Sequence, residues 1–332
     1  MVCKGATAKD FTAPRGSGRV KILVFGAGAI GSFVGALLSI ENEVTLVARA
    51  AHADAIRARG LKISGRTTLV AHPNVATEVP IAEFDAVFVT TKSYDTANAV
   101  QALQPLWRRT IFVTLQNGLG NAEALSDAVD RVLAGTTTHG VTFVRPGEVV
   151  HAGEGETVVG VVKGAVRADA DHMADVLNRA GIATSVTDDV RRELWAKAIV
   201  NAAINPLTAV LRAPNGAVVA NEDLRGIVER LAREGASAAN DAGVTVEGDR
   251  IAAKAVEVAR ATADNRSSML QDLERGRQTE IEAITGALLR SAAKGRRLPY
   301  TETVYALVRG LEGSLAVAPK EKTDPRRGNL FK

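Results

Sequence analysis

The tightest constraint on what this chain can fold into is one glycine turn, Gly26-Ala27-Gly28-Ala29-Ile30-Gly31, and what stands on either side of it. Residues 19–25, RVKILVF, read as a buried strand, and residues 32–40 have helical character. A G-x-G-x-x-G pattern alone says little. Strand, glycine loop and helix in that order is the signature of a dinucleotide-binding βαβ unit. Gly26 permits the tight turn, Gly28 lets backbone approach a pyrophosphate, and Gly31 lets helix and strand pack closely. The helix that follows offers unpaired N–H groups and the positive end of its dipole to phosphate. All six residues of the turn are candidate cofactor contacts.

The alternation continues beyond the turn. A second strand at 43–48 ends at the position where an NAD-preferring fold places Asp or Glu for the ribose 2′-hydroxyl. Here that position holds Arg49. A guanidinium suits a 2′-phosphate and leaves the carboxylate role empty, so NADP is favoured over NAD. A helix at 50–59 and a hairpin over 61–70 follow. Next come a buried strand at 85–90 ending in Thr91-Lys92, a helix at 94–103, and a strand at 110–115 ending in Gln116-Asn117-Gly118. This order argues for a parallel doubly wound sheet, in which ligands sit beyond the carboxyl ends of the strands. Lys92 and Asn117 occupy such ends and are candidate cleft residues, although each could be an ordinary loop residue. Residues 131–162 turn β-rich, a helix follows at 169–180, and a last short strand lies at 183–186.

From about residue 188 the pattern is all helix: 222–242, 248–264, a short helix after the break at 265–268, 278–294 and 301–310. The expected architecture is an α/β N-terminal Rossmann-type dinucleotide-binding domain over 20–187 with a separate all-α C-terminal domain over 188–312. Flexible tails are expected at 1–19 and 313–332. Two such domains make a cleft between them, the usual place for a small substrate.

The helix opening the second half, 193–209 (ELWAKAIVNAAINPLTA), carries Lys197, Asn201 and Asn205 at a spacing of four. That spacing stacks them in one ridge. Their neighbours are apolar or small. A lysine in such surroundings is costly unless it meets an anion or an oxygen that needs a proton. By itself the ridge could be a solvent face; beside a dinucleotide fold it reads as a cleft wall. Pro206 disfavours helical geometry at the residue before it, which places Asn205 at a kink or a helix end.

The formal net charge is +4, with basic residues concentrated at the ends. Residues 1–19 carry four basic side chains against Asp10, and residues 320–332 carry five against Glu321 and Asp324. The body between is slightly acidic, which argues against a nucleic-acid-binding face. No run of eighteen apolar residues suggests a membrane span, and the N-terminus lacks the apolar stretch of a secretory signal. Cys3 is the only cysteine, so a reducing cytoplasm is expected. The five histidines show no ligand spacing, so no metal site is expected.

Five stretches together resemble one family, the ketopantoate reductases (2-dehydropantoate 2-reductases). They are GAGAIG at 26–31, GTTTH at 135–139, RRELWAKAIVNAAINPLTA at 191–209, PNG at 214–216 and NRSSMLQDLERGRQTEIEAITG at 265–286. They stand in family order and cover about 20–310. The resemblance implies reduction of ketopantoate to pantoate by NADPH, a step toward pantothenate and coenzyme A. It implies Lys197 as the catalytic lysine and Glu280 as the carboxylate working with it. Asn117, Asn201, Asn205, Asn215, Asn265 and Ser268 match its substrate-side positions. Arg49, Lys92, Asn117 and the backbone at Val141 match its cofactor contacts. A homodimer is possible. Two other readings stay open: a relative reducing another branched 2-oxo acid with NADPH, and a non-catalytic NADP-binding sensor. A sensor has no need of a proton donor.

Overall fold

A computed structural model describes residues 19–108 and 110–317, with the side chains of the last three helical residues left aside. The N-terminal tail expected over 1–19 lies outside the described residues save for Arg19. The C-terminal tail does so from 318, but 313–317 continue the last helix instead of fraying into a tail.

The chain runs β1 (Lys21–Phe25), α1 (Ala29–Leu38), β2 (Glu43–Val47), α2 (Ala50–Arg59), then the hairpin β3 (Leu61–Gly65) and β4 (Leu69–Ala71). It continues through β5 (Asn74–Ala76), β6 (Ala86–Val89), α3 (Thr96–Ala102), β7 (Ile111–Thr114), α4 (Asn121–Ala128) and β8 (Val132–Thr137). β9 (Gly140–Arg145), β10 (Glu148–Gly153), β11 (Thr157–Lys163), α5 (Arg167–Arg179) and β12 (Thr184–Val186) complete the first half. The main sheet has the order β12-β11-β8-β7-β6-β1-β2-β5. Its β1, β2, β5, β6, β7 and β8 are mutually parallel. β11 runs antiparallel to β8, with β12 parallel to β11, so the sheet is mixed rather than wholly parallel. The expected hairpin is present but leaves this sheet. It joins β10 and β9 in a second sheet, β4-β3-β10-β9, that packs over α1.

Burial explains the strands. Ile22, Leu23 and Val24 of β1, and all of β6, are fully buried, the near-continuous apolar run of a strand covered on both faces. β3 alternates Leu61 in, Lys62 out and Ile63 in, as a one-faced strand must. Phe33 of α1 is sealed between the two sheets and packs on the rings of His139 and His151.

The second half is helical: α6 (Val190–Leu211), α7 (Ala217–Ala220), α8 (Glu222–Asp241), α9 (Gly248–Ala261), α10 (Ser268–Glu274), α11 (Ala287–Ser291) and α12 (Pro299–Val317). α6 is its centre. Asp189 caps its start by accepting from Arg192 N–H at 3.0 Å, and Trp195, Ile199, Ala203, Ile204 and Leu207 are buried against α8, α9 and α12. Two expectations need correction. Pro206 does not end α6, which runs five residues beyond it, so Asn205 is not at a helix end. Proline removes one i→i−4 bond, and the packed side chains on both sides hold the helix through the gap. The helix expected over 278–294 is shorter. It opens with a π-turn at Glu282–Gly286, where Gly286 N–H reaches Ile281 O, and closes at Ser291. By length and composition alone α6 could cross a membrane, yet 61% of its apolar stretch is buried inside this chain's own core.

Candidate active site

The glycine turn has the shape its sequence requires. Gly26 adopts φ +103, and a Cβ there would meet Thr91 N at 2.7 Å. A Cβ on Gly31 would meet Gly26 O at 2.3 Å and Thr90 Oγ1 at 2.4 Å, so neither position can carry a side chain. Gly28 differs, with nothing within 4 Å of its would-be Cβ. That open face leads to the N-terminus of α1, which has no side-chain cap and no acidic residue in its first turn. Bare N–H groups beside an open glycine fit a pyrophosphate.

The turn is braced from behind. Thr90 Oγ1 donates to Gly26 O at 2.9 Å, and Ser32 Oγ donates to Ala27 O at 3.2 Å. Ser32 Oγ also lies 3.0 Å from His52 Nε2. His52 Nδ1 accepts Gly147 N–H at 2.8 Å. A neutral imidazole that accepts at Nδ1 carries its proton on Nε2 and donates it to Ser32, and burial does lower the His52 pKa. Arg49 ends β2 and starts α2. Its carbonyl accepts the N–H groups of His52 and Ala53, while its exposed guanidinium has no partner among the described residues.

Segments far apart in sequence meet at Glu280. Its carboxylate is buried and accepts Ser93 N–H at 3.0 Å and, at 3.2 Å, the Lys92 ammonium. Ser93 Oγ is 2.5 Å from Asn117 O and 3.0 Å from Glu280 Oε1; its single proton serves one at a time. Lys92 also donates to Asp272 at 2.6 Å. Burial pulls the Lys92 pKa down, but Glu280 and Asp272 more than offset it, and the net shift is upward. Burial pushes Asp272 up, with Lys92 pulling the other way. Two carboxylates sharing one ammonium leave a net negative charge. Ser93 and Asp272 were not among the sequence candidates. The available signals were the adjacency of Ser93 to Lys92 and the place of Asp272 one helical turn beyond Ser268.

Lys197 is the cation near that excess charge. It is partly buried, and its amine has no hydrogen bond among the described residues. Desolvation lowers its pKa to about 8, against the opposing pull of Glu280. Asn201 and buried Asn205, one and two turns further along α6, likewise have side-chain amides without a protein partner among the described residues. A ridge of one amine and two free amides is poised to receive a polar ligand.

The remaining candidates separate. Asn265 is half-buried, and its amide lies within 3.7 Å of where a Cβ on Gly140 or Gly153 would stand, against the β9–β10 pair that includes Val141. Asn215 is buried and supports that turn: its N–H donates to Asn265 O at 2.9 Å and its amide nitrogen to Thr262 Oγ1. Its Oδ1 has no partner in the buried interior. The two adjacent serines also divide. Ser267 is buried, caps α10 and bonds Thr208 of α6 at 2.7 Å, while Ser268 stays exposed, its hydroxyl without a partner among the described residues. Among the described residues no group of three His, Cys, Asp or Glu side chains is placed to hold a metal ion.

The chain is similar to known proteins both in sequence and in shape. Residues 22–164 match the family model described as ketopantoate reductase PanE/ApbA, and residues 189–312 match its C-terminal companion. A 2-dehydropantoate 2-reductase from Archaeoglobus fulgidus is 40% identical, covering 89% of this chain and 99% of its own. The enzyme of that name from Halobacterium salinarum is also 40% identical, over 87% and 98%. Among solved structures, D-mandelate dehydrogenase with NADH and anilino(oxo)acetate superimposes with TM-score 0.85 at 27% identity, covering 90% of this chain and 100% of that one. A PanE/ApbA family ketopantoate reductase from Ralstonia eutropha superimposes at 0.82 with 30% identity, covering 89% and 99%.

Proposed function

Since the chain belongs to the ketopantoate reductase family and is an oxidoreductase, we propose that it reduces 2-dehydropantoate to (R)-pantoate with NADPH, on the route to pantothenate and coenzyme A in the cytoplasm. The observation that carries this reading is Lys197, an amine without a partner among the described residues whose pKa is near 8, within the field of Glu280.

Gly26–Gly31 would hold the pyrophosphate of NADPH and Arg49 its 2′-phosphate, and the bound cofactor would supply a hydride. Lys92, Asn117 and the backbone at Val141 complete its contacts. As the hydride reaches the ketone carbon, negative charge grows on the carbonyl oxygen. Protonated Lys197 stabilises that charge by hydrogen bonding and then donates the proton. A pKa near 8 keeps the amine mostly protonated at neutral pH and makes release easier than from an ordinary lysine. Glu280 works through Lys197, favouring its cationic form, and orients the substrate hydroxyl. Asn201, Asn205, Asn265 and Ser268 are neutral donors that hold the substrate carboxylate and hydroxyl without removing the lysine's charge. Asn215 acts beneath them by fixing the turn of Asn265.

The likeness in shape to D-mandelate dehydrogenase favours a second reading, reduction of a 2-oxo acid with another side chain. Consumption of NADPH should be followed with ketopantoate, 2-oxoisovalerate, ketoisocaproate and phenylglyoxylate, the 2-oxo acid of mandelate. The first reading expects the highest kcat/KM for ketopantoate. A higher value for any of the others replaces it.

A further inference from the structure

The loop after β7 makes a contact that the proposed chemistry does not use. Gly118 adopts φ +83, and a Cβ placed there would lie 2.6 Å from Ala283 O, 2.8 Å from Ala283 C and 2.8 Å from Ala283 Cβ. The next residue, Leu119, donates its N–H to Ala283 O at 2.8 Å. Its side chain packs against the core of the helical half, although it belongs to the loop between β7 and α4. Backbone of the nucleotide half therefore meets backbone of the helical half, at a distance only glycine permits.

Both sides of this contact lead to Glu280. On the helical side, the N–H groups of Ala283 and Ile284 donate to Glu280 O at 3.1 and 3.0 Å, so Ala283 and Glu280 share one tight turn. That turn runs into the π-turn Glu282–Gly286, a widening that often marks a functional position. On the nucleotide side, Asn117 O receives Asn121 Nδ2 at 2.9 Å and approaches Ser93 Oγ, and Ser93 N–H holds the Glu280 carboxylate.

We propose that Gly118, Leu119 and Ala283 form an interdomain latch that positions Glu280, with Gly118 a positioning residue whose lack of a side chain lets the latch close. The functional consequence rests on the role given to Glu280 above; the latch itself does not. When it is closed, the carboxylate is held in register with Lys92 and Ser93. Opened, the segment from Glu280 to Gly286 withdraws from the loop at 117–119.

Gly120 provides the control. It has φ +92, close to that of Gly118, but nothing lies within 4 Å of its would-be Cβ. Gly118→Ala and Gly120→Ala thus impose similar backbone strain, and only the first collides with Ala283. Hydrogen exchange of the Leu119 amide in the full chain reads the latch directly. Protection should be lost in Gly118→Ala and retained in the wild type and in Gly120→Ala. Kinetics read its purpose: Gly118→Ala should lower kcat by about 10- to 100-fold with NADPH dissociation within about two-fold of wild type, and Gly120→Ala should leave both near wild type. Equal Leu119 exchange in all three proteins overturns the latch. Equal kcat for the two variants overturns its positioning role. A wild type inactive on every 2-oxo acid tried would instead sink the proposed function, and the amide exchange would still decide the latch.

Discussion

Lys92 at the end of β6 and Lys197 on α6 both feel Glu280, but one is bound and the other is free. Lys92 donates hydrogen bonds to Asp272 and Glu280, and its pKa rises. Lys197 has the desolvation without the hydrogen bonds, and its pKa falls to about 8. The same side chain becomes a brace or an acid according to how many carboxylates reach it. On the proposed mechanism, the nucleotide-side lysine holds and the helical-side one reacts.

The hardest test is to remove each lysine. Lys197→Ala should lower kcat by about 10²- to 10⁴-fold, the range for a lost general acid, while NADPH affinity measured by fluorescence stays within about two-fold. Lys92→Ala should cost less in kcat and more in NADPH affinity. The reverse order would exchange their roles. The sign of the pH effect follows from the same contrast. A proton donor must be charged, so kcat/KM for reduction should be flat at neutral pH and fall as pH rises through about 8. Stability moves the other way. The folded-state pKa lies below the ordinary value, so the burial cost is fully present below about 8 and is relieved as pH rises toward 10.5. Lys197→Met should therefore raise the unfolding free energy at neutral pH, by at most about 3 kcal/mol. A less stable Lys197→Met would show that the charged amine is well solvated.

Removing the shared partner comes next. Glu280→Gln should lower kcat/KM by about 10- to 100-fold, an interaction of about 1.5–3 kcal/mol to a charged group. It should also move the alkaline limb to lower pH, because Glu280 is the charge that holds the Lys197 pKa up. A limb that stays in place would uncouple the two residues. Arg49→Ala should cut the preference for NADPH over NADH by about 10-fold or more, the worth of one charge-assisted contact. Equal losses with both cofactors would leave the 2′-phosphate unread by Arg49.

How much of this was visible beforehand differs between the two walls. The glycine turn was legible because its chemistry is local: strand, loop and helix are contiguous, and Gly26 and Gly31 are forced by atoms that any such turn brings close. The ridge at 197, 201 and 205 was legible as a spacing, and its meaning waited on the fold behind it. Asp272 was not, since its pairing with Lys92 joins residues 180 positions apart, a contact no periodicity encodes. Pro206 misled for a related reason. The local rule predicts a break, but burial on both sides of the proline costs less to keep than to lose. The π-turn at 282–286 shares its apolar pattern with an ordinary helix, so only hydrogen bonding distinguishes it.

The smallest effect is expected at Asp272. Replacing it with Asn removes one of two negative charges on Lys92, yet the lysine keeps Glu280 at 3.2 Å, so no cation is left unpaired. The full cost of breaking a buried pair, about 3–5 kcal/mol, does not apply. Neutralising a carboxylate whose pKa is already pushed up by burial also recovers part of its desolvation. Unfolding free energy should change by no more than about 1 kcal/mol, read from denaturant titration. The more telling readout is the alkaline limb. Glu280 acts on Lys197 and Asp272 does not contribute to its shift, so Asp272→Asn should lower kcat modestly and leave the limb where it is. A shift matching that of Glu280→Gln would mean that the two carboxylates act as one charge, and the division between a braced lysine and a reacting one would fail.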